Sequence, residues 1–322
     1  MSAPLRLVGD VGGTHARFAR VGTDGQLGAP VRLPSSEFGD LASAVRRALE
    51  LLARGDPASA AGAEAAIAVA GPVTGDRVEL TNVAWRFSIE ESRVRLGFAR
   101  LEVVNDIAAL AWALPVLGRR ETRTLAEGAR GASGVRTVAA VGTGLGVATL
   151  VEAGGGEAVL PSEGGHRDLA ASGAREWQVV EWLAARFGGH VSAERVLSGP
   201  GLATLHAALA ALDGAGPALP AEQVGPRALA GEPRAREAMT LFAGWLGAFA
   251  GDLALTVGAR GGVYLAGGVL PALGAAFDTA AFLERFLAKG RFRGWLSEVP
   301  VRLVLDGQAA LRGLVRRLPA GS

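Results

Sequence analysis

Two short glycine-rich runs in this 322-residue chain each lie between apolar segments that predict strands. They are Gly9-Asp10-Val11-Gly12-Gly13-Thr14 and Gly142-Thr143-Gly144-Leu145-Gly146. Glycine lets the backbone approach a ligand with its N–H groups turned toward it, and Asp10 could hold a metal ion, directly or through water. Either run alone could be an ordinary hairpin, but a pair could grip a polyphosphate from two sides. A Walker loop is excluded because the chain contains no Gly-Lys-Ser/Thr, and the glycine spacing does not fit the dinucleotide fingerprint.

Asn105 and Asp106 follow a predicted strand, Leu101 to Val104, and precede a predicted helix over Ile107 to Leu114. In open α/β sheets, ligands bind outside the carboxyl ends of the strands, so an acid there could act as a base. The alternative is that Asp106 caps the helix, since Asp and Asn are favoured at that position. The two interpretations are compatible, because a helix N-terminus favours the ionised carboxylate that a base requires.

Three further segments carry groups that could contact a polar ligand. In Ser162-Glu163-Gly164-Gly165-His166, a carboxylate and an imidazole flank two glycines and could converge on sugar hydroxyls, or form only a surface turn. In His190 to Arg195, Ser192 fits a helix N-cap with Glu194 in the first turn, and capping explains this segment when it is taken alone. Ala266-Gly267-Gly268 follows a predicted strand, where adenine or ribose could lie against bare backbone, or a tight turn alone could require the glycines. His15 could touch phosphate, and His206 has no assigned role.

The elements that would position these residues alternate between strand and helix, which favours the α/β class. Apolar segments predict a strand–turn–strand unit over Leu5 to Val21 and again over Arg136 to Val151, with single strands at Ala65 to Ala70, Val78 to Leu80, Leu101 to Val104, Gly262 to Leu265 and Val301 to Leu305. Helical spacing predicts further helices over Phe38 to Arg54, Arg175 to Phe187, Ala193 to Leu197, Gly201 to Leu212, Glu237 to Val257, Phe282 to Leu287 and Gln308 to Leu318. Gly118 to Gly134 and Asp213 to Arg236 are interpreted as irregular connections, the second with room for one short helix. The repeated unit and the chain length favour two related domains.

The composition excludes several classes of protein. A net charge of +2 without a basic stripe argues against nucleic-acid binding. The absence of cysteine excludes disulfides and thiolate metal sites. The longest apolar stretches, Val138 to Val151 and Met239 to Gly251, are shorter than the roughly 20 residues of a membrane span, so no membrane association is expected. The first residues lack the pattern of a signal peptide, and a cytoplasmic location is expected.

The motifs occur in an order that resembles the bacterial glucokinase family, the branch of the hexokinase/actin superfamily without a zinc-binding cysteine cluster. The resemblance covers nearly the whole chain, from Leu-Val-Gly-Asp-Val-Gly-Gly-Thr through Val-Val-Asn-Asp, Gly-Thr-Gly-Leu-Gly-Val-Ala, Glu-Gly-Gly-His and His-Val-Ser-Ala-Glu-Arg-Val-Leu-Ser-Gly-Pro-Gly to Leu-Ala-Gly-Gly-Val. Each motif is modest, but the ordered set is highly specific. The chain departs from the family at His15, where relatives usually carry Asn, and at Pro161-Ser162, where Pro-Gly is commoner.

The resemblance implies an α/β fold of two ribonuclease-H-like (actin-like ATPase) domains flanking a cleft that holds ATP and sugar. A small domain of residues 1–116 plus 308–322 would bind sugar and phosphate, and a large domain of residues 117–307 would bind nucleotide and sugar. Gly9 to Thr14 would be the first phosphate motif, Gly142 to Gly146 the second, and Gly267-Gly268 the adenosine motif. Asp106 would be the catalytic base, and the glucose-binding residues would be Asn105, Asp106, Glu163, His166 and Glu194.

The implied reaction is phosphoryl transfer from ATP to the C6 hydroxyl of glucose, with Mg²⁺ whose water Asp10 could order. A homodimer is expected from the family alone. A kinase for another hexose and a non-catalytic sugar sensor or filament protein remain as alternatives. A sensor would be expected to carry an N-terminal helix-turn-helix, whereas the pattern here predicts a strand from Leu5.

Overall fold

The computed structural model describes residues 4–52, 62–80, 83–129, 131–214 and 216–319. Its contacts divide the chain into two compact units, Met1–Leu117 with Asp306–Ser322 and Gly118–Leu305. Each unit has its own sheet with helices packed on it, so the predicted α/β class is confirmed.

The first unit is built on a five-stranded sheet in the order β3-β2-β1-β4-β7. Its elements up to residue 113 are β1 (Arg6–Val11), β2 (His15–Val21), β3 (Val31–Pro34), α1 (Leu41–Leu52), β4 (Glu64–Val69), β5 (Arg77–Glu79), β6 (Arg86–Ser88), α2 (Ile89–Leu96), β7 (Arg100–Asn105) and α3 (Asp106–Ala113). β1, β4 and β7 run parallel, with Asp10 opposite Ala68 and Val69 opposite Asn105. This register places Asp10 and Asp106 at the same edge of the sheet, where the parallel strands end.

The second unit is built on a six-stranded sheet in the order β11-β10-β9-β12-β13-β8. Its elements are β8 (Thr122–Ala126), β9 (Arg136–Val141), β10 (Leu145–Ala153), β11 (Gly156–Ser162), α4 (Ala174–Arg186), α5 (Gly199–Leu212), α6 (Ala221–Leu229), α7 (Pro233–Val257), β12 (Gly262–Ala266), α8 (Val269–Leu273), α9 (Thr279–Leu287), α10 (Arg293–Ser297) and β13 (Val301–Val304).

The two sheets repeat one arrangement. In each, three antiparallel strands come first in the chain and are followed by two strands parallel to the first: β1 to β3, β4 and β7 in one unit, and β9 to β11, β12 and β13 in the other. β8 is added at the edge of the second sheet, antiparallel to β13. The repeated order is the ribonuclease-H-like topology, which confirms the prediction of two related halves.

The last helix, α11 (Ala309–Val315), packs on α3 in the first unit. The contact is close because Gly313 has no side chain. A Cβ there would collide with the carbonyl oxygen of Ala109. Leu311 and Leu314 then join Val8 and Ala68 in the core between these helices and the sheet, so α11 supports the helix that begins at the candidate base.

α7 is the principal core helix of the second unit. It begins at Pro233, where the missing N–H costs nothing, and ends at Val257, followed by Gly258 in the left-handed conformation that a glycine after a helix favours. Its length and hydropathy would suffice to cross a membrane, but 78% of its most apolar 18-residue window is buried inside the unit. Met239, Phe242 and Leu246 lie in the core, as expected for an internal helix.

Several elements differ from the sequence predictions. The segment interpreted as an irregular connection, Gly118 to Gly134, contains edge strand β8, whose mixed exposure leaves no alternating pattern to detect. Short strands β3, β6 and β11 and helix α2 were not predicted. Ala193 to Leu197 is not a helix but a single 3₁₀ turn, Ala193–Arg195. α1 begins at Leu41 rather than Phe38, and the predicted end of that helix at Ala53 and Arg54 lies outside the described residues.

Candidate active site

The first glycine run forms the connection between β1 and β2. Gly12 N–H donates to the His15 carbonyl at 3.0 Å, and Thr14 at the tip is exposed. Gly9 lies inside β1, and a Cβ there would stand 2.6 Å from the Phe18 ring and 2.8 Å from Ile67. Packing therefore explains Gly9, whereas Gly12, Gly13 and Thr14 form the turn that a ligand could reach.

Ser35 fixes this turn, and the sequence pattern gave no sign of it. Its hydroxyl donates to the Gly12 carbonyl at 2.7 Å, and its N–H donates to the Thr14 carbonyl at 2.9 Å. Ser35 is fully buried, and its own carbonyl accepts the indole N–H of Trp85 at 3.2 Å. The first turn is therefore held from behind by neutral, buried groups.

His15 begins β2 directly after the turn. Its Nδ1 lies 3.1 Å from a terminal guanidinium nitrogen of Arg32. An arginine side chain only donates, so Nδ1 accepts and the remaining ring proton is on Nε2. His15 thus offers one N–H donor beside the turn.

Asp10 and Asp106 are the two carboxyl groups at this edge of the sheet. Burial raises the pKa of Asp10, an effect that the charge of Arg17 partly offsets. Burial also raises the pKa of Asp106 to about 6, with a further contribution from the negative charge of Asp10. Asp106 is therefore a stronger base than an ordinary aspartate, yet it is mostly ionised at neutral pH.

Asn105 is the residue that caps α3. Its Oδ1 accepts from the N–H groups of Ile107 and Ala108 at 2.9 and 3.1 Å. Its Nδ2 donates to the Gly71 carbonyl and to Asp106 Oδ1, both at 3.1 Å. The suggestion that Asp106 itself is the cap is therefore wrong, because the carboxylate is the first helical residue and Asn105 holds it in place.

The residues at this edge are compatible with a magnesium ion. Mg²⁺ typically keeps several waters and binds through one or two carboxylates together with substrate phosphates. Asp10 meets that requirement, because it is a carboxylate close to a second carboxylate, Asp106. A bound cation would offset the repulsion between the two negative charges. Within the described residues, no group of three His, Asp or Glu side chains forms a self-sufficient metal cage.

The second glycine run connects β9 and β10 through Gly142, Thr143 and Gly144. Gly142 N–H donates to the Gly144 carbonyl at 2.9 Å, and the Gly142 carbonyl accepts from the N–H of Gly199 at 2.8 Å. Thr143 is exposed at the tip, and a Cβ at Gly142 would meet no atom within 4 Å. The turn is thus open on the side where a ligand would approach.

Glu194 lies against this second turn. Its Oε2 accepts the N–H of Leu145 at 2.8 Å. The expected capping by Ser192 is wrong, because the Ser192 side chain makes no cap hydrogen bond at this turn. Ser198 is instead the cap of the next helix, α5, and accepts the Gly201 N–H. Glu194 is therefore not part of a helix cap, and its carboxylate faces the glycine turn.

Glu163 and His166 lie on either side of a 3₁₀ turn, Gly164–His166, which follows β11. The two side chains are 79% and 58% exposed, with His166 Nε2 3.9 Å from Glu163 Oε2. Both side chains are therefore accessible from solvent, as is required of residues that bind a soluble ligand.

Gly267 and Gly268 follow β12. Gly267 has a φ of +88°, and a Cβ would collide with the Val141 carbonyl. Glycine is therefore needed here because the backbone passes very close to the end of β9. Gly268 precedes α8, and a Cβ there would meet nothing within 4 Å. Of the two, Gly268 has open space beside its backbone.

The structure therefore groups the candidate residues within each unit. In the first unit, Asn105 and Asp106 share the edge with Asp10 and the first turn. In the second, the segments carrying Glu163, His166 and Glu194 adjoin the second turn, and Gly267 lies beside the strand that leads into it. Ser35 and Arg32 lie outside every sequence motif, and the contact of Leu145 with Glu194 was not predicted although Leu145 belongs to the second glycine run.

Comparison with known proteins places these features in a family. A family model described as Glucokinase matches residues 7–319. A glucokinase of Aromatoleum aromaticum is 48% identical over 316 residues, which are 97% of this chain and 94% of that protein. The crystal structure of a glucokinase from an Antarctic psychrotroph superposes with a TM-score of 0.87 at 37% identity, covering 98% of this chain and 99% of that one.

A structure with lower sequence identity has the same fold. The glucokinase of the ROK family from Streptomyces griseus, solved with glucose and AMPPNP, has a TM-score of 0.64 at 21% identity and covers 98% of this chain and 100% of that one. Such a likeness supports the actin-like ATPase fold. The match over nearly the full length and the identity to curated relatives show more, namely that this chain belongs to the glucokinase family.

Proposed function

We propose that this protein transfers the γ-phosphate of ATP to the C6 hydroxyl of glucose and that Asp106 is the catalytic base. The observation that supports this role most strongly is the environment of Asp106. Its carboxyl is held at the end of β7 by Asn105, and burial together with the charge of Asp10 raises its pKa to about 6. A general base works best when its pKa is close to the pH at which it operates.

Asp106 accepts the proton of the C6 hydroxyl as that oxygen attacks the phosphorus. With a pKa of about 6, about nine in ten Asp106 side chains are ionised at pH 7 and able to accept this proton. The hydroxyl needs no full negative charge before the attack, because the proton moves as the new bond forms. General base catalysis of this kind contributes roughly 10²–10⁴-fold to the rate.

The sugar is held by hydrogen bonds to its other hydroxyls from Asn105, Glu163, His166 and Glu194. Carboxylates accept from hydroxyls, and His166 can donate or accept, so the set suits a ligand with alternating donors and acceptors. Positioning of this kind supplies much of the catalysis in phosphoryl transfer, which asks little covalent chemistry of the protein.

The phosphates of ATP are bound at the two glycine turns, Gly12 to Thr14 and Gly142 to Gly144, by backbone N–H groups other than those of Gly12 and Gly142, which are hydrogen-bonded within the turns. The His15 N–H lies beside the first turn. Adenosine lies against Gly268. Asp10 is the residue that would hold the water shell of Mg²⁺, and the ion when bound would neutralise part of the phosphate charge. The proposed division of labour gives sugar and phosphate contacts to residues 1–116 with 308–322, and nucleotide and sugar contacts to residues 117–307.

The direct test is ATP-dependent phosphorylation of a panel of glucose, mannose, fructose and N-acetylglucosamine, followed by ADP release. Glucose should be the preferred acceptor. Preference for another hexose would change the substrate but keep the chemistry, whereas binding of glucose without turnover would indicate a sensor.

The Asp106→Asn variant tests the mechanism. It should lose at least about 10²-fold in kcat while still binding glucose in calorimetry. Near-normal turnover would refute the assignment of the base. Asp24→Asn is the matched control, because it removes a carboxylate from an exposed turn where Oδ1 only accepts the Gln26 N–H.

Two further properties belong to this proposal. We expect a cytoplasmic enzyme, as substrates ATP and glucose would be met there, and a homodimer, as the family resemblance implies. Sedimentation velocity over a range of protein concentrations measures the second property directly.

A further inference from the structure

Leu145 lies at the junction of three segments of the second unit. Its N–H donates to Glu194 Oε2 at 2.8 Å. On its carbonyl side it meets Gly165 so closely that a Cβ at residue 165 would collide with the Leu145 oxygen. One buried residue at the start of β10 therefore contacts both the segment that carries Glu194 and the turn that carries Glu163 and His166.

Other hydrogen bonds lock the same segments together. Ala193 N–H donates to the Arg167 carbonyl at 2.8 Å, which joins the Glu194 segment to the residue after His166. Gly199 N–H donates to the Gly142 carbonyl, and the Ser198 hydroxyl donates to the Glu194 carbonyl at 2.9 Å. The backbone on both sides of Glu194 is thus tied down, and its side chain has little freedom to leave the turn.

Gly144 makes room for this carboxylate. A Cβ at residue 144 would stand 2.5 Å from Glu194 Oε2 and 3.2 Å from its carboxyl carbon. Gly142, two residues earlier in the same turn, has no atom within 4 Å of the equivalent position. The two glycines of one turn therefore have different physical reasons to be glycine. One leaves open space, and the other accommodates a side chain of the protein.

We propose that Leu145 and Gly144 are positioning residues of the sugar site, through which the second glycine turn orients Glu194 for glucose. The inference rests on the proposed function and deepens it. Glu194 Oε2 is held by the Leu145 N–H, while Oε1 accepts no hydrogen bond from the described part of the chain and is available to a sugar hydroxyl. The Leu145 N–H is consequently engaged by the carboxylate, and the Gly142 N–H by the Gly144 carbonyl, so phosphate contact in this turn falls mainly to Thr143.

The experiment compares Gly144→Ala with Gly142→Ala. In Gly144→Ala, the added carbon displaces the carboxylate, so glucose binding measured without nucleotide and the KM for glucose should each worsen roughly tenfold, the loss of about one hydrogen bond to a charged group. The KM for ATP should change no more than about twofold, which is as small as the effect expected of any conservative substitution. Gly142→Ala should leave glucose binding unchanged, whatever it does to ATP.

A double-mutant cycle separates this effect from damage to the fold. Once Glu194→Ala has removed the carboxylate, the alanine at residue 144 has nothing to displace, and Gly144→Ala should cost no further glucose binding in that background. Equal losses in both backgrounds would overturn the inference. So would a Gly144→Ala enzyme that binds glucose normally but needs more ATP, since that result would make Gly144 a phosphate residue.

The wild-type protein distinguishes the two levels of the argument. If it phosphorylates glucose and Gly144→Ala does not disturb glucose binding, only the inference fails. If it binds no glucose at all, the proposed function fails and the inference with it.

Discussion

Replacement of Asp106 by Asn should stabilise the protein at neutral pH while it abolishes most of the activity. The reason is that the folded state would be more stable with an uncharged side chain at residue 106 than with a carboxylate. Burial and the neighbouring Asp10 raise the pKa of Asp106 from its ordinary value of 3.8 to about 6. The folded state thus prefers the protonated form, and ionisation at pH 7 costs folding free energy.

The size of this cost follows from the two pKa values. Their difference corresponds to about 3 kcal/mol at 1.36 kcal/mol per pH unit. The carboxylate also lies in the first turn of α3, where a negative charge contributes about 0.3–1 kcal/mol of stability that asparagine would lose. We therefore expect Asp106→Asn to raise the free energy of unfolding by about 2 kcal/mol at pH 7 to 8.

The dependence on pH has a definite sign. For a raised pKa, the stabilisation of the wild type by proton binding is complete below about pH 3.8, where both states are protonated, and it is lost as the pH rises through about 6. The advantage of Asp106→Asn should accordingly be small near pH 4, grow between pH 4 and 6, and remain constant above pH 7.

Urea unfolding of ligand-free wild type and variant from pH 4.5 to 8 measures this difference. Hydrogen exchange of peptides from residues 100–113 reports the first unit by itself. Asp24→Asn, at an exposed turn, is the control for the general change in charge. A variant that is less stable than wild type, by an amount that does not vary with pH, would refute the assigned environment of Asp106.

Three shorter predictions follow from the same structure. Activity should depend on the ionised base, so a pH profile of kcat/KM for glucose should fall about tenfold per pH unit below about pH 6 and be flat above pH 7, and a flat profile down to pH 5 would contradict this. Gly267→Ala combines a φ of +88° with a collision at the Val141 carbonyl and should cost at least about 1–3 kcal/mol in urea unfolding, whereas Gly268→Ala should be nearly neutral for stability. Gly313→Ala places a carbon against a backbone carbonyl of α3 and should lower the free energy of unfolding by about 1–3 kcal/mol. Because α3 begins at Asp106, the same change should also lower kcat. Unchanged stability would show that α11 can shift freely.

The sequence was informative where a residue type has few structural uses. Buried parallel strands read as apolar runs, and glycines between them marked both turns, so the order of motifs predicted the fold and the edge where Asp106 lies. α7 was also clear, because apolar residues recur along its whole buried length.

The sequence was uninformative where contacts come from distant parts of the chain. Ser35 lies in an unremarkable Pro-Ser-Ser segment, and only the folded chain brings its hydroxyl to Gly12. Glu194 read locally as a residue beside a helix cap, since its actual partner, Leu145, lies 49 positions earlier. Edge strand β8 has mixed exposure and strand β11 exposes nearly all of its side chains, so neither shows the alternation that predicts a strand.

The two glycine turns occupy equivalent places in two similar sheets, yet they are anchored by different chemistry. In both, the carbonyl of the first glycine accepts a hydrogen bond from outside the turn, from the Ser35 hydroxyl at Gly12 and from the Gly199 N–H at Gly142. The second anchor differs. Ser35 is buried and neutral, whereas Glu194 is a partly exposed carboxylate that anchors the second turn through one of its oxygens, Oε2. Under the proposed function, the group that fixes the backbone of the second turn also binds the sugar, a role that the buried hydroxyl of Ser35 could not take.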